Sequence, residues 1–239
     1  MRKFLSPNFL NYSVPCEQCS IGPLCMPTAQ YQHSCKFNKY KITIAKNQLL
    51  VKAAQPFSKL YAVHSGCLKS YSVTKEGKEQ ILGFYLPGDI VGFEAMTYHK
   101  YINSVKALSN TTICEFNYHD FSTFIENNNE ARSITLRLMS TEILNYQKLL
   151  LMLSQKNAEK RLASFIYSIY YRYALRGFTS TNIKLAMSRH DIANHLGLTI
   201  ETISRILKRL QQLDILHVKG KHIFIKNLAE LIKFSGELE

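Results

Sequence analysis

The chain has 239 residues, 46% of them hydrophobic, enough for a real core and more in keeping with two small domains than one. Thirty basic residues against 17 acidic ones leave a net charge of +13, a surplus suited to a polyanionic partner. Six cysteines are too few to staple a chain of this length, the opening MRKFLSPNFLNYSVP lacks the apolar run of a signal peptide, and no segment approaches a membrane span. The expected compartment is the cytoplasm, where thiols stay reduced and clustered cysteines mean metal binding or redox chemistry rather than disulfides.

Residues 1–38 form a loop-rich segment with little hydrophobic periodicity, in which Cys16, Cys19 and Cys25 make a C-x2-C-x5-C run flanked by Pro15, Pro23 and Pro27. Such a segment needs an external organiser. Thiolates ligate iron–sulfur clusters in fours, and zinc accepts four as well, so spacing alone leaves both open. Cys35, in the polar stretch QYQHSCKFNKY, is the nearest further thiol, while His33 beside it reads as a solvated loop histidine. Residues 39–117 change to short runs rich in Ile, Val, Tyr and Phe, broken by Gly66, Gly77, Gly83, Gly88 and Gly92, the pattern of an antiparallel sandwich or barrel. Cys67, in the strand SGCLKSY, fits the default role of a small buried hydrophobe.

Residues 118–157 are expected to hold a dimerisation helix. Leu136, Met139, Ile143, Tyr146, Leu150 and Leu153 are spaced 3, 4, 3, 4 and 3, a coiled-coil seam on a stretch with neither glycine nor proline. A helix lying on its own domain's core would show a similar stripe. The run KLLLML makes this one apolar on more than one face, as needed if one side meets the β domain and the other a second subunit. A further helix, KNAEKRLASFIYSIYYRYALRG, can end at Gly177.

Within residues 158–239 the run MSRHDIANHLGLTIETISRILKRLQQLDILHVKGKHIFI reads as helix, tight turn, helix and hairpin. Ser188 can cap the first helix with Asp191 three residues on, Leu196, Gly197 and Leu198 make the turn, and Thr199 caps the second helix. Ile203, Ile206, Leu207, Leu210 and Leu213 make a buried stripe, leaving Glu201, Ser204, Arg205, Lys208 and Gln212 on the opposite face. Those residue types suit the DNA major groove, where arginine can bind guanine and glutamate can accept from cytosine. Thr199, Thr202 and Arg209 flank that face and can reach phosphates, and Lys219 and Lys221 around Gly220 suit a wing over the backbone. An ordinary solvated helix face has similar charges, but cap, turn glycine, stripe and wing all agree.

The order of parts, with LGLTIETISRILKRL, GDIVGF and QKNAEKRLASFIY, resembles the cAMP receptor and fumarate/nitrate reduction regulator superfamily of bacterial transcription factors, closest to its oxygen-sensing branch. The resemblance covers nearly the whole chain. It implies an α+β architecture with an N-terminal β-roll of the cyclic-nucleotide-binding type, a long dimerisation helix and a C-terminal winged helix-turn-helix. It also implies a cytoplasmic homodimer that activates transcription from a palindromic double-stranded DNA site, with Glu201, Ser204 and Arg205 at the base-reading positions of a TTGAT-like half-site. In that branch three N-terminal cysteines and a fourth near the end of the β-roll hold a [4Fe-4S] cluster, which matches Cys114 in TTICEFNY to the fourth place, ahead of Cys35 and Cys67. The loop TKEGKEQ, a plain charged hairpin by composition, falls where the family touches RNA polymerase. Leu24 either shields the cluster or simply packs. Asn47 and Ala54-Gln55 stand where such β-rolls often have turn glycines.

The cyclic-nucleotide sensors of the superfamily place a glutamate directly after the glycine of the sixth strand and an Arg-Ser or Arg-Thr pair further on. Here Gly92 is followed by Phe93, Tyr101 and Ile102 stand at the pair, and Glu94 to Leu108 contains no arginine, so a cyclic phosphate would lack its cation. The alternative reading is a regulator of the same fold sensing nitric oxide or a small effector, with zinc or another metal centre on the cysteines. An enzyme is disfavoured, because no P-loop, nucleophile elbow or HExxH motif is present.

Overall fold

A computed structural model describes residues 12–25 and 39–237. Contacts divide the chain into two units, one from Ser13 to Tyr146 and one from Gln147 onward that also takes in Tyr12. The first unit is built on eight strands: β1 (Lys39–Ile44), β2 (Leu49–Val51), β3 (Lys59–Ser65), β4 (Leu68–Val73), β5 (Glu79–Tyr85), β6 (Ile90–Val91), β7 (Ser104–Ala107) and β8 (Thr111–Asn117). They form two antiparallel four-stranded sheets, ordered β1-β8-β3-β6 and β2-β7-β4-β5, the expected β-roll. Ile113 and Phe116 of β8 are buried in one core cluster with Leu60, Val63 and Leu68, all at most 1% exposed. β8 is flanked on both sides, with Cys114 opposite Lys41 of β1 and Ala62 of β3.

Turns between these strands explain the missing glycines. Asn47 and Ala54 take left-handed backbone conformations, with φ of 69° and 67°. Hydrogen bonds from their amides to the carbonyls of Ala107 and Tyr101, each 2.8 Å, hold them there. Where glycine is present it can be obligatory: at Gly66 (φ +92°) a Cβ would lie 2.6 Å from the Asn110 carbonyl oxygen.

The segment from residue 118 to 157 contains two helices rather than one. Helix α2 (Tyr118–Glu126) is capped by the Asn117 side chain, which accepts from the amides of His119 and Asp120. After Asn127 and Asn128 the chain restarts as α3 (Asn129–Gln155), 27 residues long. Its first turns bury Ala131, Ile134 and Thr135. Further along, Leu136, Ile143, Tyr146 and Leu150 of the expected seam are 58%, 59%, 47% and 68% exposed, and Leu144 and Leu151 beside them are also exposed.

In the second unit, α4 (Ala158–Ala174) ends shortly before Gly177, as expected, and is followed by β9 (Asn182–Lys184), α5 (Arg189–Leu196), α6 (Ile200–Gln212), β10 (Leu216–Lys219), β11 (His222–Ile225) and α7 (Leu228–Ser235). The sequence reading missed β9, which extends the hairpin to a three-stranded sheet in the order β10-β11-β9, and α7, capped by the Asn227 side chain. Tyr12 joins this unit through its hydroxyl, which donates to the Arg176 carbonyl at 2.6 Å, and through its ring, edge-on to Phe178 at 4.9 Å.

Left-handed geometry costs an alanine roughly 1–2 kcal/mol that glycine avoids, less the entropy glycine loses on folding. Ala54→Gly is therefore expected to raise stability by up to about 1 kcal/mol. Urea unfolding of the two proteins side by side checks this, and a lower midpoint for the variant would show that the turn is not strained.

Candidate functional site

The helix-turn-helix forms as its caps dictate. Ser188 accepts from the Asp191 amide at 3.0 Å while the Asp191 carboxylate accepts from the Ser188 amide at 2.8 Å, a reciprocal capping box that starts α5. Gly197 ends α5 in the left-handed conformation (φ 63°), and the Thr199 hydroxyl accepts from the Thr202 amide at 3.2 Å to start α6. Ile203, Ile206, Leu207 and Leu210 are buried, which turns Glu201, Arg205, Lys208 and Gln212 to solvent with Ser204 partly covered. Leu213 departs from the expected stripe. It is 51% exposed because α6 ends at Gln212 and the backbone leaves helical geometry at that residue.

Several of the polar side chains already have partners. Arg189 donates to the Ser204 hydroxyl at 3.0 Å, Arg209 is paired with Glu159 of α4, and the Thr199 and Thr202 hydroxyls lie 3.1 Å apart. Lys219 and Lys221 flank Gly220 at the wing turn, where the Lys221 ammonium reaches the Ala186 carbonyl at 2.7 Å. The carboxyl of Glu201 is held below the usual carboxylate range by hydrogen bonds from its own amide and the Thr199 hydroxyl, so it stays an acceptor.

The cysteine loop is a 3-10 turn, Cys16–Gln18, followed by the short helix α1 (Gly22–Cys25). Gly22 closes on the first turn so tightly that a Cβ there would meet the Cys16 carbonyl oxygen at 1.8 Å. Ile21, Leu24 and Cys25 are part of the β-roll core, and Cys19 and Cys114 pack against the same cluster. Leu24 is 4% exposed in that core. Four thiols, three from the loop and one from β8, suit a thiolate-bound group by their chemistry. Among the described residues, no three His, Cys, Asp or Glu side chains are arranged to hold a single metal ion. Cys67 is 2% exposed in the turn before β4, its amide donating to the Thr111 hydroxyl, the structural role expected of it. Cys35 and His33 lie outside the described residues.

At the positions that would hold a cyclic nucleotide, Phe93 is buried and Tyr101, 2% exposed, donates to the Lys59 carbonyl at 2.7 Å. Residues 41–128 contain no arginine. Sequence reasoning missed a group of acids in this unit: Glu94 after β6 has both carboxylate oxygens buried without a hydrogen-bond partner, and Glu142 of α3 responds to it. Burial first, then the charges of Glu94 and Asp89, push the Glu142 pKa up to about 7. Burial likewise raises Glu94, and Tyr85 between them is held in its neutral form. The signal lay in two glutamates falling near apolar stretches, which periodicity does not flag.

These features define a class of protein, a DNA-binding regulator with a β-roll domain. A cyclic nucleotide-binding domain family matches residues 41–128 and a Crp-like helix-turn-helix domain family residues 160–234. An anaerobic regulatory protein from Aggregatibacter actinomycetemcomitans is 43% identical over 94% of this chain and 89% of its own, and the fumarate and nitrate reduction regulatory protein of Escherichia coli K12 is 42% identical over 94% and 91%. The structure of FixK2 from Bradyrhizobium japonicum superposes with a TM-score of 0.77 at 25% identity, covering 84% of this chain and all of that one. The chain belongs to the CRP/FNR family of transcription regulators, in the group of the fumarate and nitrate reduction regulators, and is not an enzyme.

The raised Glu142 pKa fixes a pH dependence. The folded state holds this proton more tightly than the unfolded chain, so the stabilisation is full below the ordinary carboxyl range and is lost as pH rises through about 7. Glu142→Gln, which mimics the protonated form, is expected to match the parent near pH 4 and to melt higher at pH 8. Thermal unfolding across that range tests it, and a parent–variant difference that does not change with pH would place the Glu142 carboxyl in water.

Proposed function

We propose that this chain is an oxygen-responsive transcription regulator, working in the cytoplasm as a homodimer on a TTGAT-like palindrome and contacting RNA polymerase. Cys16, Cys19, Cys25 and Cys114 would hold a [4Fe-4S] cluster, which supplies the oxygen-labile redox chemistry. The observation that carries this reading is the packing of Cys19, Cys25 and Cys114 against one core cluster although Cys114 is far along the chain. It is supported by relatives named as anaerobic regulatory proteins at 43% and 42% identity. The exposed stripe of Leu136, Ile143, Tyr146 and Leu150 supports pairing with a second copy, while Leu153 of the same seam is half-buried and Met139 packs against the β-roll core. No helix of the described residues is long and apolar enough to cross a membrane. Dimerisation makes the second half-site contact intramolecular, so affinity depends on assembly as well as on base contacts.

Protein purified without air should be brown and contain iron and sulfide, and Cys→Ser at Cys16, Cys19, Cys25 or Cys114 should abolish both while Cys35→Ser and Cys67→Ser keep them. A colourless protein with stoichiometric zinc would support the metal-centre alternative instead. Retention of the cluster by Cys114→Ser would give the fourth place to another residue.

The recognition helix gives a second test. Arg205→Ala should cost about 1–3 kcal/mol on the palindrome and relax specificity at one base pair, whereas Arg209→Ala should weaken every sequence alike and lower the salt slope by about one. Titrations over several salt concentrations decide this. An unchanged slope for Arg209→Ala would mean that this side chain stays with Glu159 rather than moving to a phosphate.

A further inference from the structure

Arg189 is the first residue of α5, is exposed, and donates from its guanidinium to the Ser204 hydroxyl of α6 at 3.0 Å. The bond joins the two helices of the helix-turn-helix at their outer surface. Both ends stand on fixed backbone, because the capping box of Ser188 and Asp191 starts α5 and the buried stripe of Ile203, Ile206, Leu207 and Leu210 sets the rotation of α6. A cation at a helix N-terminus opposes the macrodipole, so the stability of α5 gives no reason for an arginine there. Among the described residues Ser204 is the one hydrogen-bond partner of Arg189, and the Ser204 oxygen accepts in that bond while its own proton goes to no protein acceptor.

We propose that Arg189 is a specificity-determining residue: by occupying the Ser204 oxygen it makes that hydroxyl a donor to DNA, so that Ser204 selects a base-edge acceptor over the cytosine amino group. This rests on the reading of the outer face of α6 as the base-reading surface. A serine hydroxyl has one proton and two lone pairs, and by itself bonds base donors and acceptors alike. With a guanidinium on one lone pair the O–H is polarised into a stronger donor, and a second N–H approaching the same oxygen meets positive charge. In the major groove thymine shows its O4 acceptor, guanine O6 and N7, and adenine N7 beside its amino group, whereas cytosine shows only the N4 donor. Cytosine is therefore the base rejected on the strand that Ser204 faces. Arg189 acts through Ser204 as a positioning residue, and its own contact with a base is not required.

The test uses the full chain and a duplex site selected from random sequence by the parent protein, with each base pair replaced in turn by the other three at several salt concentrations. Ser204→Ala first locates the base pair at which preference collapses. There the parent is expected to bind about tenfold more weakly when cytosine is on the contacted strand, the loss of one charge-supported hydrogen bond. Arg189→Ala should bring cytosine within about threefold of the other bases at that pair and leave preferences at every other pair unchanged. In the Ser204→Ala background, Arg189→Ala should change no preference at all. If Arg189→Ala weakens all sequences alike, with a lower salt slope and cytosine still rejected, the side chain is a phosphate contact and the proposal is overturned. A preference that Arg189→Ala alters equally without Ser204 overturns it as well, because Arg189 then reads a base directly. If Ser204→Ala relaxes no base pair while Arg205→Ala does, the proposal falls and the outer face of α6 still reads DNA; if neither does, that reading of the face falls with it.

Discussion

Two side chains hold the cysteine loop on the molecule. Ile21 and Leu24 are 1% and 4% exposed, and each contributes about 1.5–3 kcal/mol by leaving water. Cys16–Cys25 folds as a pair of tight turns, and the chain just before it is tied down by the Val14 amide on the His64 carbonyl. The cluster they join also contains Leu60, Ile113 and Phe116 of the sheets, Phe121 of α2, and Ala131 and Ile134 of α3. Loop, roll and helix base are therefore one packed body. A close-packed core of this kind does not yield by small continuous amounts, so rearrangement of the loop must be accommodated by side chains that α2 and α3 also touch.

The second unit depends on capping in the same way that the loop depends on burial. Ser188, Thr199 and Asn227 each satisfy orphan amides at the head of a helix, and Gly197 and Gly236 close two helix ends in the left-handed conformation. The turn between α5 and α6 is thereby specified by its own residues, with Ile203, Ile206, Leu207 and Leu210 fixing the face of α6 that turns inward. The ion pair of Arg209 with Glu159 adds a competitor for phosphate: neutralising the backbone through Arg209 requires giving up an existing partner, which lowers the net gain.

Much of this was legible in the sequence because it is local. The caps at Ser188 and Thr199, the left-handed Gly197 and the strands of the roll follow from residue type and period, whereas the break between α2 and α3 does not. What stayed hidden is non-local. β9 is only three residues long, and it pairs with β11 some forty residues later. Glu94 and Glu142 become neighbours only when α3 lies on the roll, and Leu213 shares the helical spacing of its stripe yet falls one residue past the last turn. The positive φ of Asn47 and Ala54 shows the converse, a backbone conformation kept by its hydrogen bonds after the residue that favours it is gone.

The uncovered leucines of α3 also matter before the chain is finished. Residues 156–239 follow this helix, and at about 5–20 residues per second their synthesis takes on the order of ten seconds. The β-roll and the apolar stripe on α3 can be complete while the DNA-binding unit is still being made. During that interval the stripe is an adhesive surface on a ribosome-bound chain, and neighbouring ribosomes on the same message carry others. The order of domains along this polypeptide thus sets a time window in which chaperone, aggregate and sister chain compete for the same leucines.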